Sequence, residues 1–397
     1  MKNLLLSFLL LSTSAIAQDT WVQRDSINGP GRSAAVSFVI NEEGWIATGY
    51  DGFDESRRMY SYDLEQDDWD DEVSLGGDTG SGLKRKSSVG FNAGELGFVA
   101  LGSGIASYFK DVWQYDDEVK VWTQMADFPG EARREAVAFS VDTVAYVGSG
   151  VAESGLMNDF YKFDAWSNSW TAIATFPGEP RREAVGFDMG GQCLFGTGRS
   201  DSGFLTDFWE YIPATDSWNQ LADFPGSPRA GASGCGRFPL AYIMLGEDNA
   251  FEYKNDVWEY NYFSNTWTQK ADFPGPPRAQ AVAFTVQNRI FCGSGYGGEW
   301  YDDFYEYEYV LSDGIEVETI DFDLFPNPAT DYFTLQFAKQ PSEVLIQDSQ
   351  GKVVFSKRVS DQSGSMNIDL SDFTPSTYFV SLNFESGEKL VKKLIVQ

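Results

Sequence analysis

The sequence predicts an all-β chain: a β-propeller built from a repeated four-stranded unit, followed by a small β-sandwich. Three observations predict it. First, a Trp recurs six times, at Trp21, Trp69, Trp122, Trp170, Trp218 and Trp267. An Arg follows 11 residues later in five cases (Arg32, Arg133, Arg181, Arg229, Arg278), and 16 residues later, at Arg85, after Trp69. Second, each Arg leads into an apolar run, a Gly turn and an aromatic run, so a period near 48 residues carries four strand signals. That is the pattern of a propeller blade. Third, the repeat stops after Tyr309, and a period-2 alternation of apolar and polar residues takes over.

The elements follow in chain order. Lys2, the apolar run Leu4 to Leu11 and the small residues Ala15-Ile16-Ala17 read as an export signal over 1–17, leaving Gln18 as the mature start. That run is too short to span a bilayer, no later run is long enough, and no Cys follows the cleavage site to carry a lipid. Residues 18–310 form the repeats. In the third, Ala136 to Val141, Val144 to Val147, Asp159 to Phe163 and Ser169 to Ile173 are strands, with Gly148-Ser149-Gly150 as the turn. β-Branched and aromatic residues fill them, as pleated, half-buried surfaces favour. A polar linker, 311–320, leads to a second domain over 321–397. It opens with Phe325-Pro326-Asn327-Pro328-Ala329-Thr330-Asp331. Strands follow at Tyr332 to Phe337, Glu343 to Asp348, Lys352 to Phe355, Met366 to Leu370 and Tyr378 to Phe384, before the basic-apolar end Lys389 to Val396.

Two resemblances are carried by these residues. The C-terminal segment is similar to the type A sorting domain of the type IX (Por) secretion system of Bacteroidetes. The likeness rests on the Pro326-to-Asp331 start, the run from Val344 to Val353, the Tyr378 strand and the terminus. It implies delivery by the type IX machinery across the outer membrane, removal of the domain, and a secreted or surface-held product. The repeats resemble the kelch motif of galactose-oxidase-like propellers, through the Arg-bearing turns, Gly-Ser-Gly, Tyr115-Asp116, Phe163-Asp164 and the Trp. In that family the Trp strand is the outermost of its blade. The resemblance therefore implies six blades, with the Trp21 strand completing the last one and sealing an edge that would otherwise template aggregation. Single glycines at Gly49 and Gly246 depart from the motif, so those two turns are expected to differ.

Composition narrows the chemistry. Asp and Glu outnumber Lys and Arg 59 to 29. Only 10 acidic and 7 basic residues lie from Thr319 onward, so the excess belongs to the repeats. Such a field repels nucleic acid and anionic membranes. The three cysteines, Cys193, Cys235 and Cys292, are odd in number and lie in apolar runs, which reads as buried thiols. The chain contains no His. Copper and zinc sites rarely form without imidazole or clustered Cys, so no cofactor is expected and the copper chemistry of the look-alike oxidases is excluded; calcium stays open, since Asp and Glu abound, although no EF-type loop spacing exists. Nucleophile systems built on His are excluded with it.

The candidate site follows from the kelch likeness, which places the Arg turns and the loops after the Gly turns around the mouth of the central channel. Arg32, Arg85, Arg133, Arg181, Arg229 and Arg278 then form a ring of planar donor forks suited to an anion. The competing reading, which weighs more for most of the six, has them stitching blades together through carbonyls and carboxylates. The third and fourth repeats add Arg134-Glu135 and Arg182-Glu183, where the others carry Ala34, Ser87, Gly231 and Gln280. The last Gly loop adds Tyr296 and Trp300, flat faces of the kind that hold sugars. The expected function is a monomeric exported propeller that binds a glycan or a protein on this face. Two alternatives stand beside it. One is a metal-free epimerase or mutarotase for an acidic sugar, with Glu135 or Glu183 moving protons. The other is a surface protein without a small ligand.

Overall fold

The computed structural model describes residues 19–77, 84–308, 322–337, 340–348, 352–359, 364–384 and 389–397. The proposed export signal and the linker at 311–320 lie outside the described residues, and the long turn after Trp69 is described only as far as Gly77 and again from Lys84. The chain divides into two compact units, Met1–Ser312 and Asp313–Gln397.

Strand burial follows the side-chain pattern. The first strand of most sheets in unit 1 alternates, as in Val36–Ile40, where Val36, Phe38 and Ile40 are buried and Ser37 and Val39 only partly; Val137–Val141, buried over its first four residues, is the exception. The second strand is a continuous small-and-apolar run, such as Gly44-Trp45-Ile46-Ala47, and is buried on both faces. A strand reads this way when its sheet is covered on both sides. Six four-stranded antiparallel sheets result. The first comprises Val36–Ile40, Glu43–Ala47, Met59–Asp63 and Asp68–Glu72, in that order. The second is Val89–Ala93, Leu96–Ala100, Val112–Asp116 and Val121–Gln124. The third is Val137–Val141, Val144–Gly148, Phe160–Asp164 and Ser169–Ala172, and the fourth Val185–Asp188, Cys193–Gly196, Phe208–Ile212 and Ser217–Gln220. The fifth is Ser233–Arg237, Leu240–Met244, Val257–Asn261 and Thr266–Gln269. The sixth takes Val282–Val286, Arg289–Gly293 and Phe304–Glu308 and borrows Thr20–Arg24 as its outer strand, with Trp21 opposite Tyr307.

The sheets pack face to face around a common axis as a β-propeller. Large residues of one sheet press on glycines of the next: a Cβ on Gly44 would sit 2.1 Å from the Phe284 ring, and one on Gly97 2.4 Å from Phe38. Each repeated Trp ties its outer strand to the previous sheet. The indoles of Trp21, Trp69, Trp122, Trp170, Trp218 and Trp267 donate to the carbonyls of Ala271, Asp25, Val73, Ala126, Ala174 and Ala222, at 2.7–3.2 Å. These six bonds close a circle. The three cysteines are buried and form no disulfide. Burial pushes the Cys235 thiol up to about 12 and raises that of Cys292 as well.

Unit 2 is a β-sandwich. A three-stranded sheet, Phe322–Phe325, Tyr332–Phe337 and Ser365–Asp369, faces a four-stranded one, Val353–Arg358, Glu343–Asp348, Ser376–Asn383 and Lys389–Val396. Phe333, Leu335, Val344, Ile346, Val380, Leu382 and Leu394 fill the space between them.

Candidate binding face

Five of the six repeat arginines are internal ties. Arg85, Arg133, Arg181, Arg229 and Arg278 are no more than 1 % exposed. Each holds an aspartate with both arms of its fork: Asp111, Asp159, Asp207, Asp256 and Asp303, with Nη2 to Oδ2 at 2.7–3.0 Å. Nη1 also donates to the carbonyl of Leu101, Ser149, Thr197, Leu245 or Ser294. A Phe lies under each guanidinium at 4.6–4.9 Å: Phe109, Phe128, Phe176, Phe224 and Phe273. Such a group has no free donor edge for a ligand. For these five the ligand-holding reading gives way to the one in which carbonyls and carboxylates take up the fork, because each is buried against an aspartate 25–27 residues downstream.

The geometry also explains the Gly turns. The residue whose carbonyl the Arg takes in five repeats, and its counterpart Thr48 in the first, lies in the left-handed region in all six, from Thr48 at φ 65° to Ser294 at φ 64°, and a glycine follows it. That glycine donates to the backbone carbonyl of the next repeat's Arg. The bonds run from Gly49, Gly102, Gly150, Gly198, Gly246 and Gly295 to Arg85, Arg133, Arg181, Arg229, Arg278 and Arg32, at 2.7–3.0 Å. A left-handed side-chain residue is strained and persists only where its surroundings fix it. Here the Arg does so in five of the six repeats. The turns at Gly49 and Gly246 share the backbone conformation of the others, and the Gly246 turn shares the Arg bond as well, while the Gly49 turn lacks it.

Two residues beyond each Arg, the chain reaches the axis. Ala34, Ser87, Glu135, Glu183, Gly231 and Gln280 all have φ between 52° and 61°. Each donates its N–H to the carbonyl of its counterpart in the preceding repeat, at 2.8–3.2 Å, and Ala34 closes the circle on Gln280. This ring frames a cavity of about 100 Å³ on the axis.

The charged groups of the third and fourth repeats meet at this mouth. The Glu135 carboxylate, buried, takes a hydrogen bond from Arg182 at 2.9 Å and a second from Arg134. Arg134 also donates Nε to the Tyr108 hydroxyl at 3.3 Å. Glu183 accepts from the Gln280 amide at 2.9 Å. Burial first, then the neighbouring Glu183, pushes the Glu135 carboxyl above its ordinary 4.5, against the pull of Arg134 and Arg182. Glu247, one sheet on, is raised by burial and by the same Glu183. Thus Glu135, Glu183, Arg134 and Arg182 come together. Gln280, Glu247 and Tyr108 complete the group, although none of them stands out in the sequence.

Tyr296 and Trp300 lie in the sixth repeat's loop with ring centroids 4.7 Å apart. Tyr50 abuts Trp300 edge-on at 5.8 Å, and Tyr253 abuts Tyr296 at 6.0 Å. Beside this aromatic strip, Phe53, Ile105 and Phe251 stand exposed on loops of the same kind, at 96 %, 89 % and 62 %.

The comparisons agree with this organisation. The family profile described as a secretion system C-terminal sorting domain matches residues 323–397. That domain marks proteins exported by type IX secretion to the cell surface or the extracellular space, so the chain is an exported protein handled by that machinery. No curated protein matches. Among solved structures, one titled "Structure of YjhT" is similar with a TM-score of 0.60 at 17 % identity, over 71 % of this chain and 96 % of that one. At such identity the likeness speaks for the fold alone. Among the described residues, no helix is long and apolar enough to cross a membrane.

Proposed function

We propose that the chain is a six-bladed, kelch-type propeller that binds a ligand, glycan or protein, at the axial mouth of its loop face. The observation that carries this reading is the cluster at the mouth. Two carboxylates, Glu135 and Glu183, line one small cavity, and two part-buried guanidiniums pair with Glu135, in only two of six otherwise equivalent positions. Nothing in the propeller requires them there: Ala34 and Gly231 make the same backbone bonds without them. The aromatic strip and the exposed loop tips supply the flat apolar contacts that sugars and protein side chains use. A glycan array tests the reading with the full chain and an Arg134→Ala/Arg182→Ala variant. The expected result is a set of hits that the variant loses while it still unfolds cooperatively well above the assay temperature, its melting lowered because Glu135 is left buried without its partners. A wild type without hits removes the glycan form of the proposal.

One observation favours a second reading. A carboxyl raised by burial beside two guanidiniums is how a proton-moving group is placed next to an anion-holding one. An epimerase or mutarotase for an acidic sugar would hold the sugar carboxylate on Arg134 and Arg182 and move the proton on Glu135. Anomer exchange of sialic acid followed by NMR distinguishes the two: acceleration lost in Glu135→Gln supports catalysis, and no acceleration at high protein concentration sinks it.

A further inference from the structure

The first repeat breaks the rule of the other five. Arg32 is as buried as its counterparts, at 1 %. Yet no aspartate meets it. The register position of the missing acid is fixed by a backbone bond. In the other repeats the aspartate carbonyl accepts from the left-handed residue: Leu101 to Asp111, Ser149 to Asp159, Thr197 to Asp207, Leu245 to Asp256 and Ser294 to Asp303. In the first repeat the same bond runs from Thr48 to Arg58. A second arginine thus stands where a carboxylate belongs.

The consequence is a buried cation with unmet donors. Arg32 Nη2 reaches the Tyr60 hydroxyl at 3.1 Å and the Asn28 carbonyl at 3.4 Å, but Nε and Nη1 have no partner. Ile27 occupies the place that Phe128 or Phe176 holds elsewhere, so the ring beneath the guanidinium has changed too, to Tyr60 at 4.7 Å. A buried charge without a directly paired counter-ion is costly, and Asp51 meets Arg32 only through its charge, with no ion pair between them.

Arg32 also lines a cavity of about 350 Å³, with Arg57, Arg58, Lys84, Asp51 and Glu55 among its walls. Its acids are already engaged. Asp51 takes the amides of Phe53 and Asp54, Asp54 pairs with Lys84, and Glu55 lies 3.6 Å from Lys86. Arg57 donates to the carbonyls of Leu75 and Gly77. Among the described residues no carboxylate lies within ion-pair distance of Arg32, Arg57 or Arg58. Three guanidiniums with no ion-paired carboxylate, two of them offset only by the unpaired charges of Asp51 and Asp71, are conspicuous in a chain of net charge −30.

We propose that this cavity binds the carboxylate of a small organic acid, which fills the place that a chain aspartate fills in the other five repeats. The site is independent of the axial mouth, whose cavity has a different lining. The five intact repeats specify the chemistry: a planar carboxylate held by both arms of one buried fork. The volume suits a molecule of several carbons rather than a protein side chain.

The test uses the full chain and succinate, acetate and phosphate, each against sodium chloride of equal ionic strength. Succinate and acetate are expected to raise the melting temperature of the wild type above the chloride control, as ligands of the folded state do. Arg58→Asp restores the repeat's own acid. It should melt higher than wild type in chloride and show no further shift with succinate. Arg58→Ala removes one cation without filling the cavity, and calorimetric titration should show succinate binding weakened about tenfold or more. The proposal is overturned by a wild type that responds to succinate no more than to chloride. An unchanged succinate response in Arg58→Asp, or unchanged affinity in Arg58→Ala, also overturns it. A shift with phosphate equal to that with succinate overturns the carboxylate assignment.

Discussion

At the scale of single residues, the Arg–Asp pairs decide the stability of the propeller's loop face. Asp256 shows the balance of forces. Burial alone would raise its carboxyl, but the hydrogen bonds and charge of Arg229, with help from Trp258, hold it below the ordinary 3.8. The fork makes two bonds, at 2.6 and 2.8 Å, and the Trp258 indole adds a third at 2.8 Å. Removing one member of a buried pair leaves the other charged and unmet, at a cost of about 3–5 kcal/mol. Asp256→Ala is therefore expected to lose about that much in chemical denaturation near pH 7. Because the folded value lies below the unfolded one, the stabilisation is complete above the ordinary carboxylate range and fades as pH falls through the lower, folded value. The gap between wild type and variant should be constant from pH 6 to 8 and shrink below pH 3.8. A gap under 1 kcal/mol at pH 7, or one that widens in acid, contradicts this account of the pair.

At the scale of the element, the Trp21 strand carries the closure of the ring. Thr20–Arg24 pairs along its whole length with Phe304–Glu308. Trp21 packs on Phe273 at 5.2 Å and Tyr307 at 5.0 Å, and Arg24 shares the Glu306 carboxylate with Arg289. The indole is part-buried, so Trp21→Ala is expected to cost about 2–3 kcal/mol, somewhat less than a fully enclosed Trp. Trp166, 86 % exposed in a turn of the third sheet, is the control, and its alanine variant should melt with the wild type. Equal effects from the two would show that the N-terminal strand does not hold the ring. This element was legible because a Trp at fixed period marks an outer strand, and an orphan at the front needs a partner at the back. The role of the arginines as ties to carbonyls and carboxylates was one of two readings, but the partner of each was not legible in the same way. Their period is plain, but burial is not written in a period, and each aspartate lies one sheet edge away, across a loop of varying length. The short run before the third strand does carry the signal, in Asp111-Val112-Trp113, Asp159-Phe160-Tyr161, Asp207-Phe208-Trp209, Asp256-Val257-Trp258 and Asp303-Phe304-Tyr305. Its break at Arg58-Met59-Tyr60 is visible only once those five have been aligned.

At the scale of the whole molecule, the two units bury separate cores and carry different charge. The sandwich core draws only on residues between Phe322 and Val396, and the clusters of the propeller only on residues between Trp21 and Tyr307. Side chains that never share a core have no apolar area to lose together, and so no reason to melt together. Calorimetry of the full chain is expected to show two transitions, and a chain ending at Ser312 should keep the propeller's transition within about 2 °C of its place in the full chain. Salt assigns the two. Nearly all of the acidic excess lies before Thr319, where it repels itself in the folded propeller, and added ions screen that repulsion. Raising sodium chloride from 20 to ~300 mM should lift the propeller's transition and leave the sandwich's almost unmoved. A single transition, or a propeller that melts well below its full-chain value once the sandwich is gone, would mean that unit 2 stabilises the fold it delivers. Export would then have to leave the sorting domain attached, because its removal would release a weakened propeller.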